Sequence, residues 1–398
     1  MDLFKKFFEI FFTFLRLGLT SFGGPVAHLG YFHQEFVERK KWLEEKVYAD
    51  LVALCQFLPG PSSSQVGFSI GLVRGGLTGG LAAWLGFTMP SAVIMILVAW
   101  GFTSMSAEML ESGFLQGLKI AAVAVIAHAI WSMAQKLCPE KKRATIALIS
   151  AIIMTWFALP FIQVIVIALG ASAGALFLKK DAPLKEDAND QLKIPISSTL
   201  SSICLLGFFA FLIGLPILAS AIHYPAIDLL DSFYRTGSLV FGGGHVVLPL
   251  LQSEVVDPGW MTKDQFLAGY GAAQALPGPL FTISAYVGAL ANHGPGSWLG
   301  GLLCLTAVFL PSGLLVLGIL PYWEKLRKLP TAQTLLMGAN AAVVGLLISA
   351  FYIPVWSESI LGPKHAAIAF ASYLLLSVWK IPSWIIVIIA ALLGYLLL

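Results

Sequence analysis

The sequence predicts an all-α polytopic membrane protein that consists of two inverted-topology repeats with paired broken or re-entrant helices. Three observations predict it: the composition, an internal duplication and the distribution of basic residues. Of the 398 residues, 58% are hydrophobic and 11% are charged, with a mean hydropathy of +0.85. Soluble proteins carry about 25% charged residues. A single soluble core cannot bury this much apolar helix, so we expect several membrane crossings.

The duplication joins two blocks that lie about 219 residues apart. The first block contains Phe22-Gly23-Gly24-Pro25 and Leu58-Pro59-Gly60-Pro61, and the second contains Phe241-Gly242-Gly243-Gly244 and Leu276-Pro277-Gly278-Pro279. Pro90-Ser91 and Pro311-Ser312 continue the match. We therefore divide the chain into a first repeat (1–178), a linker with an extra transmembrane segment (179–222) and a second, inverted repeat (223–398).

The early segments of each repeat are too short to cross a bilayer. In the first half they cover residues 7–22, 26–36, 43–57 and 62–73. Such segments reach about 16–24 Å as helices, whereas the hydrocarbon core is about 30 Å thick. Glycine and proline separate them in pairs, which predicts two hairpins that enter the membrane from one side. The expected full spans are residues 77–102, 114–134, 144–159, 161–178, 199–222, 297–320, 335–353, 364–378 and 381–398.

The basic residues predict the orientation of this arrangement. With the amino terminus in the cytoplasm, 19 of the 24 Lys and Arg residues, Lys380 among them, fall on the cytoplasmic side, and only Lys263 and Lys364 fall outside. Such a bias is typical of a correct topology. A parallel second half would place the basic cluster at residues 325–328 outside, so the pattern favours inverted halves.

Charged residues inside apolar segments are the first functional candidates. Arg16 and Arg235 occupy matching positions before the two Phe-Gly-Gly sequences, where an arginine is costly unless it faces a cavity, a counter-ion or a ligand. We expect both to bind or steer an oxyanion, which suits the planar guanidinium; snorkelling to the surface is the alternative. Glu35, Glu254 and Lys119 are candidates for proton coupling, although a simple ion pair explains the two glutamates better.

The Pro-Gly-Pro sequences are the second group of candidates. Each opens a new helix, and free amides at a helix start bind anions. A tight turn that serves packing alone is the alternative. The candidates here are Gln56, Pro59, Gly60, Pro61 and Ser62 in the first half and Gln274, Pro277, Gly278, Pro279 and Thr282 in the second.

The Phe-Gly-Gly sequences break the first hairpin of each half in the same way. Gly23, Gly24, Gly242 and Gly243 either let backbone amides approach a ligand or permit a sharp reversal of the chain. Matched, glycine- and proline-interrupted segments are typical of the substrate site of a secondary transporter. No nucleophile elbow, phosphate loop, dinucleotide fingerprint or metal cluster is present in the sequence, so we expect neither an enzyme nor a cofactor.

These motifs resemble those of the chromate transporter family, in its long-chain, two-domain form. The resemblance is carried by Phe22-Gly23-Gly24-Pro25, Trp42 and Gln56-x-x-Pro59-Gly60-Pro61, and by their second-half counterparts. It implies an inner-membrane protein that exports chromate from the cytoplasm, uses the proton motive force and confers chromate resistance. Family motif positions carried over are Arg16, Phe22, Gly23, Gly24, Pro25, Gln56, Pro59, Gly60 and Pro61, with their partners.

The second half departs from the first at Gly244, which replaces Pro25, and at Leu280-Phe281, which replace Ser62-Ser63. We therefore expect the halves to contribute unequally to the ligand site. The residues alone support an anion site without separating chromate from sulfate, and an anion channel and a structural membrane protein stand as rival hypotheses. The expected partners are chromate or sulfate, protons as the coupling ion, membrane lipid and a second copy of the chain in a homodimer, with no nucleic acid.

Overall fold

A computed structural model describes residues 3–103, 113–157, 162–178, 196–241, 244–326 and 329–398. Throughout these ranges the regular structure is helical, which confirms the predicted class. Five stretches are long and apolar enough to cross a membrane: Ser62–Thr103, Gly113–Leu137, Ser198–Ile222, Ser297–Tyr322 and Pro330–Ser359. Most of the predicted linker, and also Gly242 and Gly243, lie outside the described residues.

In the described part of the first half there are seven α-helices. They are α1 (Leu3–Thr20), α2 (Gly24–His33, continued by a π-helical turn, Gln34–Arg39), α3 (Glu45–Phe57), α4 (Ser62–Thr103), α5 (Gly113–Leu137), α6 (Lys141–Trp156) and α7 (Ile162–Phe177). Helix α4 is broken at Gly75 and Gly76, where non-helical torsions reverse the chain. Its two limbs, 62–74 and 77–103, pack against each other, with Gly71 beside Gly79.

The second half repeats this order after an extra helix, α8 (Ser198–Ile222). Its helices are α9 (Pro225–Leu239), α10 (Val247–Val255), α11 (Lys263–Gln274), α12 (Ile283–Leu290), α13 (Ser297–Ile319), α14 (Pro330–Ala350), α15 (Pro363–Ser377) and α16 (Ser383–Leu397). The two halves correspond helix by helix, with α12 and α13 equivalent to the two limbs of α4. The predicted breaks at Phe22-Gly23, Pro59-Gly60-Pro61 and Pro277-Gly278-Pro279 are therefore confirmed.

The outer surface is apolar along the long helices. Helix α8 is the clearest case, since Ile203, Leu206, Ile213 and Ile217 are each more than 60% exposed. Among the described helices it packs mainly against its neighbours α9 and α13. Exposed side chains of this kind are normal in lipid and unfavourable in water. The exposed surface therefore agrees with a membrane environment.

The packing of equivalent helices shows that the halves are inverted. The 77–103 limb and α13 correspond in the repeat and lie side by side, with Trp84 on Phe309 and Trp100 on Trp298. A higher residue number on one helix meets a lower number on the other, so the two run antiparallel. Equivalent spans in antiparallel orientation require a pseudo-two-fold axis in the membrane plane.

The two halves also exchange packing partners. Helix α14 of the second half packs against α6 and α7 of the first, while α5 of the first half packs against α15 and α16 of the second. Glycines allow the close approach: Gly174 meets Gly338 at one interface, and Gly117 meets Ala390 at the equivalent one. The halves form one interlocked body, because each completes the helix bundle of the other.

Four of the nine expected full spans are helices too short to cross a hydrocarbon core about 30 Å thick. Helices α6 and α7 have 16 residues each, and α15 and α16 have 15 each, so they reach about 22–24 Å. Helices α6 and α7 form one hairpin, and α15 and α16 form another. Each hairpin returns to the membrane face on which it began, so the other loops keep the side of the membrane that was predicted for them. Lys380 is the exception. It borders a cavity that is also lined by His128. Because His128 lies about 22 Å along α5 and nine residues before that helix ends, Lys380 lies deeper than the cytoplasmic surface where it was predicted.

Candidate functional site

A cavity of about 380 Å³ lies where the glycine motifs of both halves meet. We call it the glycine cavity. Its walls come from the start of α2, the middle of α5, the end of α11 with the following turn, and the turn between α15 and α16. The lining residues are Gly23, Gly24, Pro25, Val125, His128, His245, Ala273, Gln274, Leu276, Gly278, Leu280, Leu376, Ser377, Lys380, Ile381, Pro382 and Ser383.

Several hydrogen-bond donors border this cavity. The Nε2 atom of Gln274 and the Nδ1 atom of His128 are buried without a partner of hydrogen-bonding geometry. Gln274 approaches the hydroxyl of Tyr270, which is 2.9 Å from Nδ1 of His245. Lys380 is exposed and is the one formally charged side chain among the described lining residues. Buried donors without partners are costly, and an anion would satisfy them.

Glycine conformation explains why the chain can form this wall. Gly23 has φ 100° and Gly24 has φ 77°, values that side-chain-bearing residues rarely adopt. They reverse the chain so that α2 begins at the cavity, with first-turn amides that have no partner within the helix. Phe22 packs on Trp384 of α16 with 5.2 Å between ring centroids, which fixes the turn against the opposite half.

The Pro-Gly-Pro turns lock the halves together. The amide of Gly60 donates to the carbonyl of Val240 (2.7 Å), and the amide of Gly278 donates to that of Ser21 (2.9 Å). These bonds are equivalent under the repeat, and each crosses between the halves. Both amides are therefore occupied, which corrects the expectation that they close on the anion. Gly278 still borders the glycine cavity through its backbone.

Apart from Gln274 and Gly278, the Pro-Gly-Pro candidates do not line the glycine cavity. Gln56 is exposed, whereas its counterpart Gln274 borders the cavity. The hydroxyl of Thr282 donates to the carbonyl of Pro279 at 2.8 Å and so caps the turn. Ser62 is half-buried. Gln65, which sequence reasoning passed over, donates to the carbonyl of Pro59 at 2.7 Å and braces that turn. The two equivalent glutamines therefore differ in their surroundings, and an unequal contribution of the halves to the ligand stays a prediction.

Arg16 forms an ion pair away from the glycine cavity. Its guanidinium is 2.6 Å from Oε2 of Glu35, and Arg39 is 3.2 Å from the same oxygen. Glu35 is buried and lies between the two exposed guanidinium groups. This triad borders a cavity of about 420 Å³, the first vestibule, lined by Phe12, Thr13, Arg16, Glu35, Arg39 and Lys40.

Arg235 forms the equivalent pair with Glu254 at 3.0 Å, but its third partner is Asp231 at 2.8 Å. These side chains are largely buried. Arg235 and Glu254 border the second vestibule, a cavity of about 800 Å³ that is also lined by Gln163, Ser253 and Asp257. In the loop after α10, burial raises the pKa of Asp257, and the positive charge of Lys263 opposes this. The negative charge of Asp257 is thus lost at a higher pH than in an ordinary aspartate.

The different burial of the two arginines predicts different stability effects. We expect Arg235→Ala to destabilise the protein by about 3–5 kcal/mol, because it leaves two largely buried carboxylates without their cation. Arg16→Ala should cost about 1 kcal/mol or less, since that guanidinium is 46% exposed. Thermal unfolding of the detergent-purified variants measures this difference. Removing Glu254 together with Arg235 should recover part of the loss, and equal effects of the two single changes would contradict the prediction.

Lys119 is buried but has a partner near one end of its helix. It lies in the second turn of α5, and its Nζ is 2.7 Å from Oδ1 of Asp264 in the first turn of α11. The pair connects the two halves. A coupling role for Lys119, Glu35 or Glu254 remains a prediction. Within the described residues, no group of three His, Cys, Asp or Glu side chains is arranged to hold a metal ion.

Sequence reasoning missed His128 and Lys380. His128 lies on α5 and Lys380 in the turn between α15 and α16, both outside the duplicated motifs. They border the same cavity because α5 packs against α15 and α16 of the other half. One signal was available: Lys380 interrupts two apolar segments, each too short to cross a bilayer. That pattern is equally typical of a hairpin turning inside the membrane.

Comparison with known proteins agrees with these features. Residues 8–175 and 227–395 match the profile of the family described as "Chromate transporter". A probable chromate transport protein of Synechococcus elongatus is 28% identical over 395 residues, covering 96% of this chain and 93% of the relative. The chromate transport protein of Cupriavidus metallidurans is 27% identical over 391 residues, covering 96% and 90%.

An uncharacterized transporter of Methanocaldococcus jannaschii is 28% identical over 399 residues, covering 98% of this chain and 94% of the relative. No solved structure matches the chain. The two profile matches coincide with the two structural repeats and exclude α8. On this match, which spans most of both halves, the chain belongs to the chromate transporter family.

Proposed function

We propose that this protein is a secondary active transporter that exports chromate from the cytoplasm, uses the proton motive force and confers chromate resistance. Membership of the family supports chromate as the transported anion. The observation that carries the proposal within this chain is the glycine cavity. It combines one cationic side chain with unpartnered donors, and it is built from broken helices of both inverted halves.

The chemistry of the cavity suits a tetrahedral dianion. Lys380 supplies a positive charge. Gln274 and His128 supply neutral N–H groups that can donate hydrogen bonds to the oxygen atoms of an anion. Gly23 and Gly24 allow the backbone to come close without side chains in the way. His128 and His245 can also take up a proton, so they are candidates for the coupling step beside the predicted Glu35, Glu254 and Lys119.

The proposed orientation places the amino terminus in the cytoplasm of a bacterial inner membrane. Cys138 lies beside the basic residues 141–143 and is part-exposed, whereas Cys55, Cys204 and Cys304 are buried. In intact cells, an impermeant thiol reagent should leave Cys138 unlabelled and should label a cysteine introduced at Asp257. Labelling of Cys138 in intact cells, with Asp257→Cys protected, would reverse the orientation.

Flux of labelled chromate into proteoliposomes tests the function. We expect chromate to accumulate against its gradient when a pH gradient is imposed, and only to equilibrate when an ionophore collapses that gradient. A channel would dissipate a chromate gradient under both conditions. Equilibration alone would therefore contradict proton coupling and support the channel alternative.

Sulfate has nearly the same shape and charge as chromate, so it is the main alternative substrate. An excess of unlabelled sulfate in the same proteoliposomes separates the two. We expect sulfate to compete weakly with labelled chromate. Uptake of labelled sulfate that exceeds chromate uptake at equal concentration would instead assign the protein to sulfate or a general oxyanion transporter.

A further inference from the structure

Each vestibule is bordered by an equivalent Arg–Glu pair, and the third charged partner of that pair is a cation in the first half and an acid in the second. In the first vestibule, one carboxylate, Glu35, lies between the guanidinium groups of Arg16 and Arg39. In the second, one guanidinium, Arg235, lies between the carboxylates of Asp231 and Glu254. The first triad therefore has a formal charge of +1 and the second a formal charge of −1.

The repeat shows how the difference arises. Asp231 corresponds to Phe12 in the first half, and the second-half segment between Glu254 and Trp260, which corresponds to the one around Arg39, contains no basic residue. Each third partner is therefore absent from the other half. Neighbouring charges add to the contrast. Lys40 borders the first vestibule, with Nζ 4.0 Å from Glu9, and Asp257 borders the second.

The inverted halves place the two vestibules on opposite sides of the glycine cavity. Arg16 lies four residues before the end of α1 and Arg235 four residues before the end of α9, so each arginine is about 6 Å along its helix from the end that leads to a lining residue, Gly23 or His245. Because α1 and α9 are equivalent helices of inverted repeats, they approach that cavity from opposite faces of the membrane.

From these charges we infer that the Arg16–Glu35–Arg39 triad is a capture site for a divalent oxyanion on the loading side, and that the Asp231–Arg235–Glu254 triad opposes re-entry from the other side. A positive, partly enclosed vestibule raises the local concentration of an anion, and a negative one lowers it. Under the proposed topology the loading side is cytoplasmic. The inference thus rests on the proposed function and adds a physical basis for its direction.

The first test measures the half-saturating chromate concentration separately from each face, in inside-out and right-side-out membrane vesicles. Phe12→Asp gives the first triad the acid that the second one has, at an exposed position, and Arg39→Gln removes its extra cation. Both should raise the half-saturating concentration at the first-vestibule face by about three- to tenfold at low ionic strength, and less at high salt. Lys5→Gln, an exposed charge at the start of α1, is the matched control and should change it little.

The converse change tests the second triad. Asp231→Phe introduces the first-half residue and should lower the half-saturating concentration at the second-vestibule face alone. An equal change at both faces, or effects no larger than that of Lys5→Gln, would overturn the inference.

Equilibrium binding of labelled chromate and sulfate to the purified protein separates this inference from the proposed function. If anion binding is salt-sensitive and Phe12→Asp weakens it, the capture site is supported. If the wild type then shows no chromate flux, only the proposed function fails. Normal chromate flux with binding unaffected by Phe12→Asp overturns the capture site alone. Absence of both binding and flux overturns both.

Discussion

Replacing Lys380 by Gln is expected to abolish chromate transport at physiological concentrations. Lys380 is the one formally charged side chain among the described residues of the glycine cavity. A unit charge about 4 Å from another contributes between about 1 kcal/mol in water and about 4 kcal/mol at a protein surface. Loss of that charge should therefore weaken chromate binding by about fivefold to a thousandfold.

Chromate binding and flux, both measured at matched protein abundance, test this change. Lys380→Arg is the matched control, because it keeps the charge and should retain part of the affinity. Lys136→Gln removes an exposed basic residue from the last turn of α5, outside the glycine cavity, and should have little effect. Unchanged chromate affinity in Lys380→Gln would show that the anion binds elsewhere.

The second large effect is expected at the Pro-Gly-Pro turns. Gly60 and Gly278 have φ values of 119° and 91°, which a valine would adopt only with strain. A Cβ atom at Gly60 would collide with Oγ of Ser312 in the other half, and one at Gly278 would lie 2.9 Å from Oγ of Ser91. We expect Gly60→Val and Gly278→Val to abolish transport by forcing the two halves apart.

The equivalent serines supply the decisive control for this prediction. Gly60→Ala should recover in part when Ser312 is replaced by Gly, and Gly278→Ala should recover in part with Ser91→Gly. Gly214 on α8 has open space around it, so Gly214→Ala should be nearly neutral. Normal transport by both valine variants would show that the inter-half contacts at these turns are dispensable.

The sequence was sufficient to predict the helical class, the repeats and their inversion. Apolar composition and glycine or proline breaks act locally, so they can be recognised without knowing which helices pack together. The matching positions of Arg16 with Arg235 and of Glu35 with Glu254 were also visible. Their pairing with each other was not, because the arginine and the glutamate are separated by a hairpin whose geometry depends on Gly23 and Gly24.

The glycine cavity itself could not be predicted from the sequence. Its donors come from α5, α11 and the α15–α16 turn, which meet only because the two halves exchange helices. Counting basic residues placed Lys380 at the cytoplasmic surface, since two short apolar segments were taken as full spans. Likewise, no pattern shows that the amides of Gly60 and Gly278 already bond to Val240 and Ser21 across the halves.

The central claim is that the transported anion binds in the glycine cavity. An anomalous-diffraction map at the chromium absorption edge, from crystals of the protein grown with chromate, tests it most directly. We predict one strong peak within hydrogen-bond distance of Nζ of Lys380 and Nε2 of Gln274, absent from crystals of Lys380→Gln. A chromium peak confined to the vestibules, with the glycine cavity empty at saturating chromate, would contradict the claim.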